Sequence, residues 1–385
     1  MTSSDTPTAV ITSVHPFGAG LVVGAHQIAR ELTGRGWRVA LLSDPASLVH
    51  LLGCIWHTSA RQRVAAALRA PLTVDGLLAL TPLTFVPLAR DCGAGVKSFV
   101  RWWPWLSWPV VPRFLARYGF RDIDLFLLDG PLPACLQTSL RPRWTVLRLF
   151  DDTSEERRWP RALADQRNRL AKAADLVAIT APAIEQQAMA MGARRVHLMP
   201  NGADIEHFAR PASEPADLAP IPRPRVVYVG ALAPWVHFDL MDQVARRMPQ
   251  VSFVWIGPGR PELIVRRHNV YVLGSRPYAE LPGYLQHCDA GVIPFDRDRH
   301  PRLVDSVHPL KLYDYLAAGL PVVATPWVEL RRIAAPVRFA CSPHEFVDAI
   351  GSAFNDGRID ASPFLATATW AARVDGLLRA LTTRP

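Results

Sequence analysis

The chain has 385 residues, of which 49% are hydrophobic and 20% charged, with a net charge of +9. Its length exceeds the ~250–300 residues at which a single core stops growing, so two domains are predicted, and the composition excludes a disordered chain. Only Lys97, Lys172 and Lys311 among the 43 cationic residues are lysines, so most of the excess is a general use of Arg. Residues 1–205 hold 23 Lys+Arg against 16 Asp+Glu and residues 206–385 hold 20 against 18, which leaves the second half too neutral for a nucleic-acid groove.

The first elements in chain order are a β-branched run, Ala9–Val14, then the loop His15-Pro-Phe-Gly18-Ala-Gly20, a helix-period stretch Val23–Thr33, and a strand Trp37–Leu42. Strand, glycine loop, helix and strand is how a doubly wound parallel sheet begins. The apolar run Gly76–Ala89 is shorter than the ~20 residues of a membrane span and contains Pro82 and Pro87. Lys97–Arg121 carries five cations and no acid, with Trp102, Trp103, Trp105 and Trp108 inside it. Trp interleaved with Arg suits the headgroup zone of an anionic bilayer, and a helix packing its Trp residues into the core is the alternative. Strands are predicted at Asp124–Leu128, Thr145–Phe150 and Leu176–Thr180, with a polar helix over Glu155–Ala173.

Residues 209–224 contain five prolines and read as a stiff linker. The pattern then restarts with strands at Val226–Val229, Val251–Ile256, Val270–Leu273, Gly291–Pro294 and Val322–Ala324. Helices are predicted at His237–Arg247, Tyr278–His287 and Pro309–Ala318. The expected fold is α/β, with two Rossmann-like doubly wound domains facing across a cleft. The expected organisation is an N-terminal domain over 1–208, the linker 209–224, a C-terminal domain over 225–360, and a C-terminal helix in 361–385 crossing back. The N-terminus lacks the basic and apolar regions of a signal peptide, and five scattered cysteines form no CxxC pair, so a cytosolic setting is expected.

The second half carries Val254-Trp-Ile-Gly-Pro-Gly259, Val270-Tyr-Val-Leu-Gly274, Leu281–Phe295 and Pro309-Leu-Lys-Leu-Tyr-Asp314 in that order, preceded by Pro200-Asn-Gly-Ala-Asp204. As a set these segments resemble the donor half of GT-B glycosyltransferases of the group 1, or family 4, type. With Arg148-Leu-Phe-Asp-Asp152 and the Trp/Arg stretch, the chain is similar to teichuronic-acid-type transferases and to the membrane glucuronosyltransferase of xanthan assembly. The resemblance implies transfer of a sugar from a nucleotide-diphosphate donor, UDP-linked by expectation, to a lipid-linked or polysaccharide acceptor at the inner membrane face. Rival readings are a nucleotide-sugar epimerase or hydrolase of the same fold, and an inactive scaffold.

Gly230, Gly257, Gly259 and Gly274 fall at strand ends, where a missing Cβ lets backbone approach a nucleotide; the alternative is plain turn glycines. Lys311, at a helix N-terminus, suits the donor diphosphate, and Arg276 is a further donor-binding candidate. Asp314 and Ser306 stand where many relatives place two Glu residues, which points away from a retaining mechanism. Inverting transfer needs a base for the acceptor hydroxyl. Asp151 is the candidate, Asp152 or Thr153 reading as a helix cap, and His15 is the competitor. Gly18 and Gly20 are expected to leave room for the acceptor, and Arg101 with the four Trp residues to meet the membrane. Asp296-Arg-Asp298, flanked by Arg299 and Arg302, reads as a solvated loop, so no metal ion and no other cofactor is expected.

Overall fold

The computed structural model describes residues 6–18, 21–47, 50, 58–74, 76–84, 102–130, 132–151 and 161–383. The chain divides into two compact units, one of Met1–Pro200 with Arg373–Pro385 and one of Asn201–Ala372.

Among the described residues the first unit has eleven strands: β1 (Thr8–Ser13), β2 (Arg38–Ser43), β3 (Ala46–Ser47), β4 (Leu72–Val74), β5 (Leu77–Leu80), β6 (Leu83–Thr84), β7 (Ser107–Trp108), β8 (Leu125–Leu128), β9 (Trp144–Leu149), β10 (Leu176–Ile179) and β11 (Val196–Leu198). Eight of them form one sheet in the order β11-β10-β9-β8-β1-β2-β5-β4, and β3, β6 and β7 form a small second sheet. All pairs of the large sheet are parallel except β4 with β5. Its central strands are continuous aliphatic runs buried along nearly their whole length, as a sheet covered on both faces requires. Helices α1 (Gly24–Gly34), α2 (Thr58–Leu68), α3 (Val111–Arg117) and α4 (Arg161–Ala173) belong to this unit. α1 ends where Gly36 takes φ 81°, a left-handed turn that a side chain would resist. The expected helix Glu155–Ala173 is found over Arg161–Ala173, and its first six residues lie outside the described ones.

The second unit has six strands: β12 (Arg225–Val229), β13 (Ser252–Ile256), β14 (Val270–Gly274), β15 (Ala290–Ile293), β16 (Val322–Ala324) and β17 (Val337–Phe339). They are parallel throughout, in the order β14-β13-β12-β15-β16-β17. This is the 3-2-1-4-5-6 order of a doubly wound nucleotide fold, which binds ligand at the carboxyl ends of the strands where the order reverses. Here the reversal falls between β12 and β15. The helices used below are α5 (Phe238–Arg247), α6 (Leu281–Gln286), α7 (Leu310–Ala317), α8 (Val328–Ile333) and α9 (Pro343–Asp356).

The proline-rich stretch 209–224, expected as a linker, lies within the second unit. Leu218 and Ile221 are buried in that unit's core. Arg225 collects the stretch by donating to the carbonyls of Ile221 (2.7 Å) and Ala219 (3.2 Å) and pairing with Glu214. Gln286 donates to the carbonyls of Phe208 and Arg210 and accepts from the Ala212 N–H. Proline denies the stretch regular structure, and partners contributed from β12 and α6 order it instead. The last helix, α10 (Trp370–Thr382), begins in the second unit and continues into the first, where Val374, Leu377 and Leu381 are buried.

Candidate active site

Lys311 occupies the first turn of α7 and reaches the β12/β15 reversal point. Its Nζ donates to the Tyr228 hydroxyl at 2.9 Å, and lies 4.1 Å from the centre of the Tyr228 ring and 4.7 Å from that of Phe295. Tyr228 comes from β12 and Phe295 directly follows β15. Two ring faces hold an ammonium group by cation–π attraction while removing most of its water. Burial therefore pushes the Lys311 ammonium down to about 7, against the opposing pull of Asp314. Burial also pushes the Asp314 carboxyl well above its ordinary value; Asp204 adds to that and Lys311 opposes it. The result is a cation, a carboxyl group and the free N–H groups of a helix start gathered at one strand end, where an anionic ligand is favoured.

The glycines around this point are of three kinds. A Cβ on Gly230 would lie 2.6 Å from Lys311 Nζ, so this glycine makes room for the lysine. A Cβ on Gly257 would lie 1.8 Å from the Gly230 carbonyl oxygen, and one on Gly259 would lie 2.4 Å from that of Leu232. At these two positions the backbone that approaches closely is the chain's own. Gly274, at φ 74°, has no atom within 4 Å of its Cβ position and keeps open space above the end of β14. Arg276 is engaged within the unit: its Nε donates to Asp217 (3.1 Å) and to the Tyr284 hydroxyl (2.8 Å), which ties down the proline-rich stretch. Ser306 is fully buried, its hydroxyl donating to the Leu303 carbonyl at 2.8 Å. Asp296, expected in a solvated loop, is buried, accepts from the Arg299 N–H at 3.0 Å and lies 3.4 Å from the Arg299 guanidinium. A turn closed by its own carboxylate draws Asp296 inward while Asp298 stays exposed.

In the first unit the strand order reverses between β1 and β8, and His15 follows β1. Its carbonyl accepts from Ser13 Oγ (2.9 Å), Ser43 Oγ (3.2 Å) and His26 Nε2 (3.1 Å), which fixes the loop. Burial and the nearby charge of Arg63 bring the His15 imidazole down to about 4, so it is neutral near pH 7. Gly18 takes φ 73° with open space at its Cβ position, and Gly20 lies outside the described residues. Asp151 follows β9, half-buried, two residues beyond Leu149; Asp152 and Thr153 lie outside the described residues.

The same strand ends carry a polar cluster of which only Arg148, as part of the Arg148–Asp152 segment, is picked out by the sequence. Arg148 in β9 pairs with Asp129 at 3.1 Å, both buried, and its guanidinium packs where a Cβ on Gly24 would be 2.6 Å away. Arg63 from α2 donates to the carbonyls of Asp44 (2.8 Å) and Val14 (2.7 Å), clipping β2 to β1 beside His15. Burial lifts the Asp44 carboxyl to about 6, Asp129 adding to the rise and Arg63 opposing it. These partners lie 19 to 49 residues apart in sequence, beyond the reach of local pattern.

The tryptophan stretch splits. Trp103 is 0% exposed and belongs to the core of the first unit, and Trp105 is half-buried. Trp102, Leu106 and Trp108 are 51%, 54% and 65% exposed. Arg113 and Arg117 on α3 are exposed as well, while Arg101 lies outside the described residues. Among the described residues, no helix is long and apolar enough to cross a membrane.

Residues 223–356 match the family described as glycosyl transferases group 1. A Bacillus subtilis protein named as a teichuronic acid biosynthesis glycosyltransferase is 30% identical over 142 residues, 35% of this chain and 35% of its own length. The UDP-glucuronate:glycolipid 2-beta-glucuronosyltransferase of Xanthomonas campestris pv. campestris is 28% identical over 157 residues, 40% of this chain and 37% of its own. The chain thus spans little more than a third of the length of these relatives. The Anabaena HepE structure with UDP and glucose superposes over 98% of this chain and 100% of its own with TM-score 0.63 at 16% identity, a likeness of fold. With two doubly wound sheets and this likeness of structure the chain has the α/β GT-B fold, and its residues 223–356 are similar to the group 1 glycosyl transferases.

Proposed function

We propose that this chain transfers a hexosyl or glycuronosyl group from a UDP-sugar to a hydroxyl of a lipid-linked or polysaccharide acceptor, in cell-envelope or exopolysaccharide synthesis. The observation that carries the reading is Lys311 in its aromatic cradle at the β12/β15 reversal point, inside the residues that match the family. The second unit holds the donor, with Lys311 and the first N–H groups of α7 on the diphosphate and the open end of β14 at Gly274 beside the nucleoside. The UDP-glucuronate named for the Xanthomonas campestris relative and the UDP held by HepE support this choice of donor.

In the proposed step Asp151 takes the proton of the acceptor hydroxyl as its oxygen bonds to the anomeric carbon. The bond from that carbon to the diphosphate oxygen breaks, with inversion. Charge appearing on the leaving diphosphate is met by Lys311 and the helix start, without a metal ion in the scheme. His15, neutral and held beside β1, is the second candidate for the base. Trp102, Leu106 and Trp108, with Arg113 and Arg117 close by in sequence, support attachment to an anionic membrane surface, which in this scheme is the cytoplasmic face of the plasma membrane.

An inactive scaffold is the second reading, favoured by the buried Ser306, whose hydroxyl is already engaged. Thermal shift against UDP-, GDP- and dTDP-sugars, followed by a transfer assay with the stabilising donor, separates the two. The enzyme reading predicts stabilisation by UDP-sugars and release of UDP. Stabilisation without any release over hours would establish the scaffold.

A further inference from the structure

The helix start that carries Lys311 is held by a buried polar relay that takes no part in the proposed chemistry. His308, immediately before the Pro309 cap of α7, places Nδ1 2.7 Å from Glu329 Oε1 and Nε2 2.6 Å from the Tyr313 hydroxyl. One tautomer satisfies both contacts, with Nδ1–H donating to the carboxylate and Nε2 accepting from the tyrosine. Arg332 donates twice more to the same carboxylate, at 2.7 and 2.6 Å. Burial works to raise the Glu329 carboxyl, and the bonds from Arg332 and His308 outweigh it, so Glu329 is held below its ordinary value and ionised. From other directions Asn201 donates to the His308 carbonyl at 2.7 Å and Trp327 to the Val307 carbonyl at 2.9 Å. His308, Glu329, Tyr313 and Asn201 are all buried.

Such a network adds little net stability over an apolar replacement, because the charges it buries give up their water. What it does supply is direction, since each bond has its own geometry. The relay joins the start of α8, where Glu329 sits, to both sides of the first turn of α7. Lys311 lies between His308 and Tyr313 in that turn. Its cradle of two rings and one hydroxyl tolerates little rotation of the helix start.

We propose that Glu329, His308 and Tyr313 are positioning residues that aim Lys311 at the donor diphosphate. This rests on the reading of Lys311 as the diphosphate contact. The test measures calorimetric affinities of the full chain for UDP and for uridine, in wild type, His308→Leu, His308→Gln, Lys311→Ala and the double variant His308→Leu/Lys311→Ala. Positioning predicts about a tenfold loss of UDP affinity in His308→Leu, partial recovery in His308→Gln, and uridine affinity within about twofold of wild type. In the double variant the UDP loss should equal that of Lys311→Ala alone, because the relay acts through the lysine. An undiminished His308→Leu effect on the Lys311→Ala background overturns the proposal, as does an equal loss for uridine. Tyr313→Phe, which keeps the ring stacked on Phe364 at 5.9 Å, gives the same reading should His308→Leu fail to fold. If Lys311→Ala binds UDP as wild type does, the donor-site reading itself has failed and the relay's role goes with it; if only Lys311→Ala is weakened, the relay alone is refuted.

Discussion

Donor affinity should depend on pH through Lys311, and the structure sets the size of the effect. The free lysine titrates at about 7 because Tyr228 and Phe295 strip its water. A bound diphosphate supplies the missing counter-charge and lifts it again. Binding therefore takes up a proton, and affinity is greatest below pH 7 and is lost as pH rises through it. The charged fraction falls from about 0.76 at pH 6.5 to about 0.03 at pH 8.5, so affinity for a UDP-sugar should drop by up to about 25-fold over that range. Asp314 acts in the same direction, since its ionisation at rising pH would repel the phosphates, and Asp314→Asn separates the two contributions. Titration calorimetry of UDP-glucose in buffers of different ionisation enthalpy reads both the affinity and the proton uptake, about half a proton at pH 7. Lys311→Met should flatten the profile and abolish the uptake. A wild-type affinity constant from pH 6.5 to 8.5, or a slope that survives in Lys311→Met, would show that Lys311 does not carry the pH dependence.

Asp151→Asn should abolish sugar transfer while UDP affinity stays within about twofold, and His15→Ala should lower turnover far less; undiminished turnover in Asp151→Asn would transfer the base role to His15. Gly257→Ala drives a Cβ to 1.8 Å from the Gly230 oxygen at φ 152°, and should cost several kcal/mol by chemical denaturation. Gly274→Ala, in open space at φ 74°, should cost only about 1 kcal/mol. Trp102→Ser/Trp108→Ser should release the protein from anionic vesicles with Tm unchanged, whereas Trp103→Ala should lower stability by about 3–5 kcal/mol. Equal vesicle binding by wild type and the double variant would end the membrane reading.

The strands were legible wherever an aliphatic run met a glycine or proline, as at Val226–Val229 and Val322–Ala324, because a parallel sheet buries both faces of each strand. Lys311 was legible because lysine is so rare in this chain and because Pro309 marks a helix start. Other features depended on long-range partners. Prolines in 209–224 gave a correct sign of irregular backbone but none of its burial, which Arg225 and Gln286 impose from afar. Arg276 looked available for a ligand until Asp217, 59 residues away, claimed it. Gly257 and Gly259 signalled a close approach without saying to what, and the answer was neighbouring backbone. The relay at His308 joins residues 21 apart across two helices, a spacing with no periodic signature. α8 and α9, absent from the sequence reading, lack the clear apolar runs that marked the strands.

The last helix has a consequence for synthesis. Residues 201–372 form one uninterrupted unit, whereas the first unit needs residues 373–385 as well as 1–200. A chain emerging from its N-terminus therefore completes the second unit while the first still lacks its final turns. Until then the buried Leu377 and Leu381 are missing from it, and Arg35 and Arg195 lack the contacts with Asp375 and Ala380. The unit that starts first finishes last, so a nascent chain halted short of residue 373 would hold a complete second unit while the first still lacked residues 373–385.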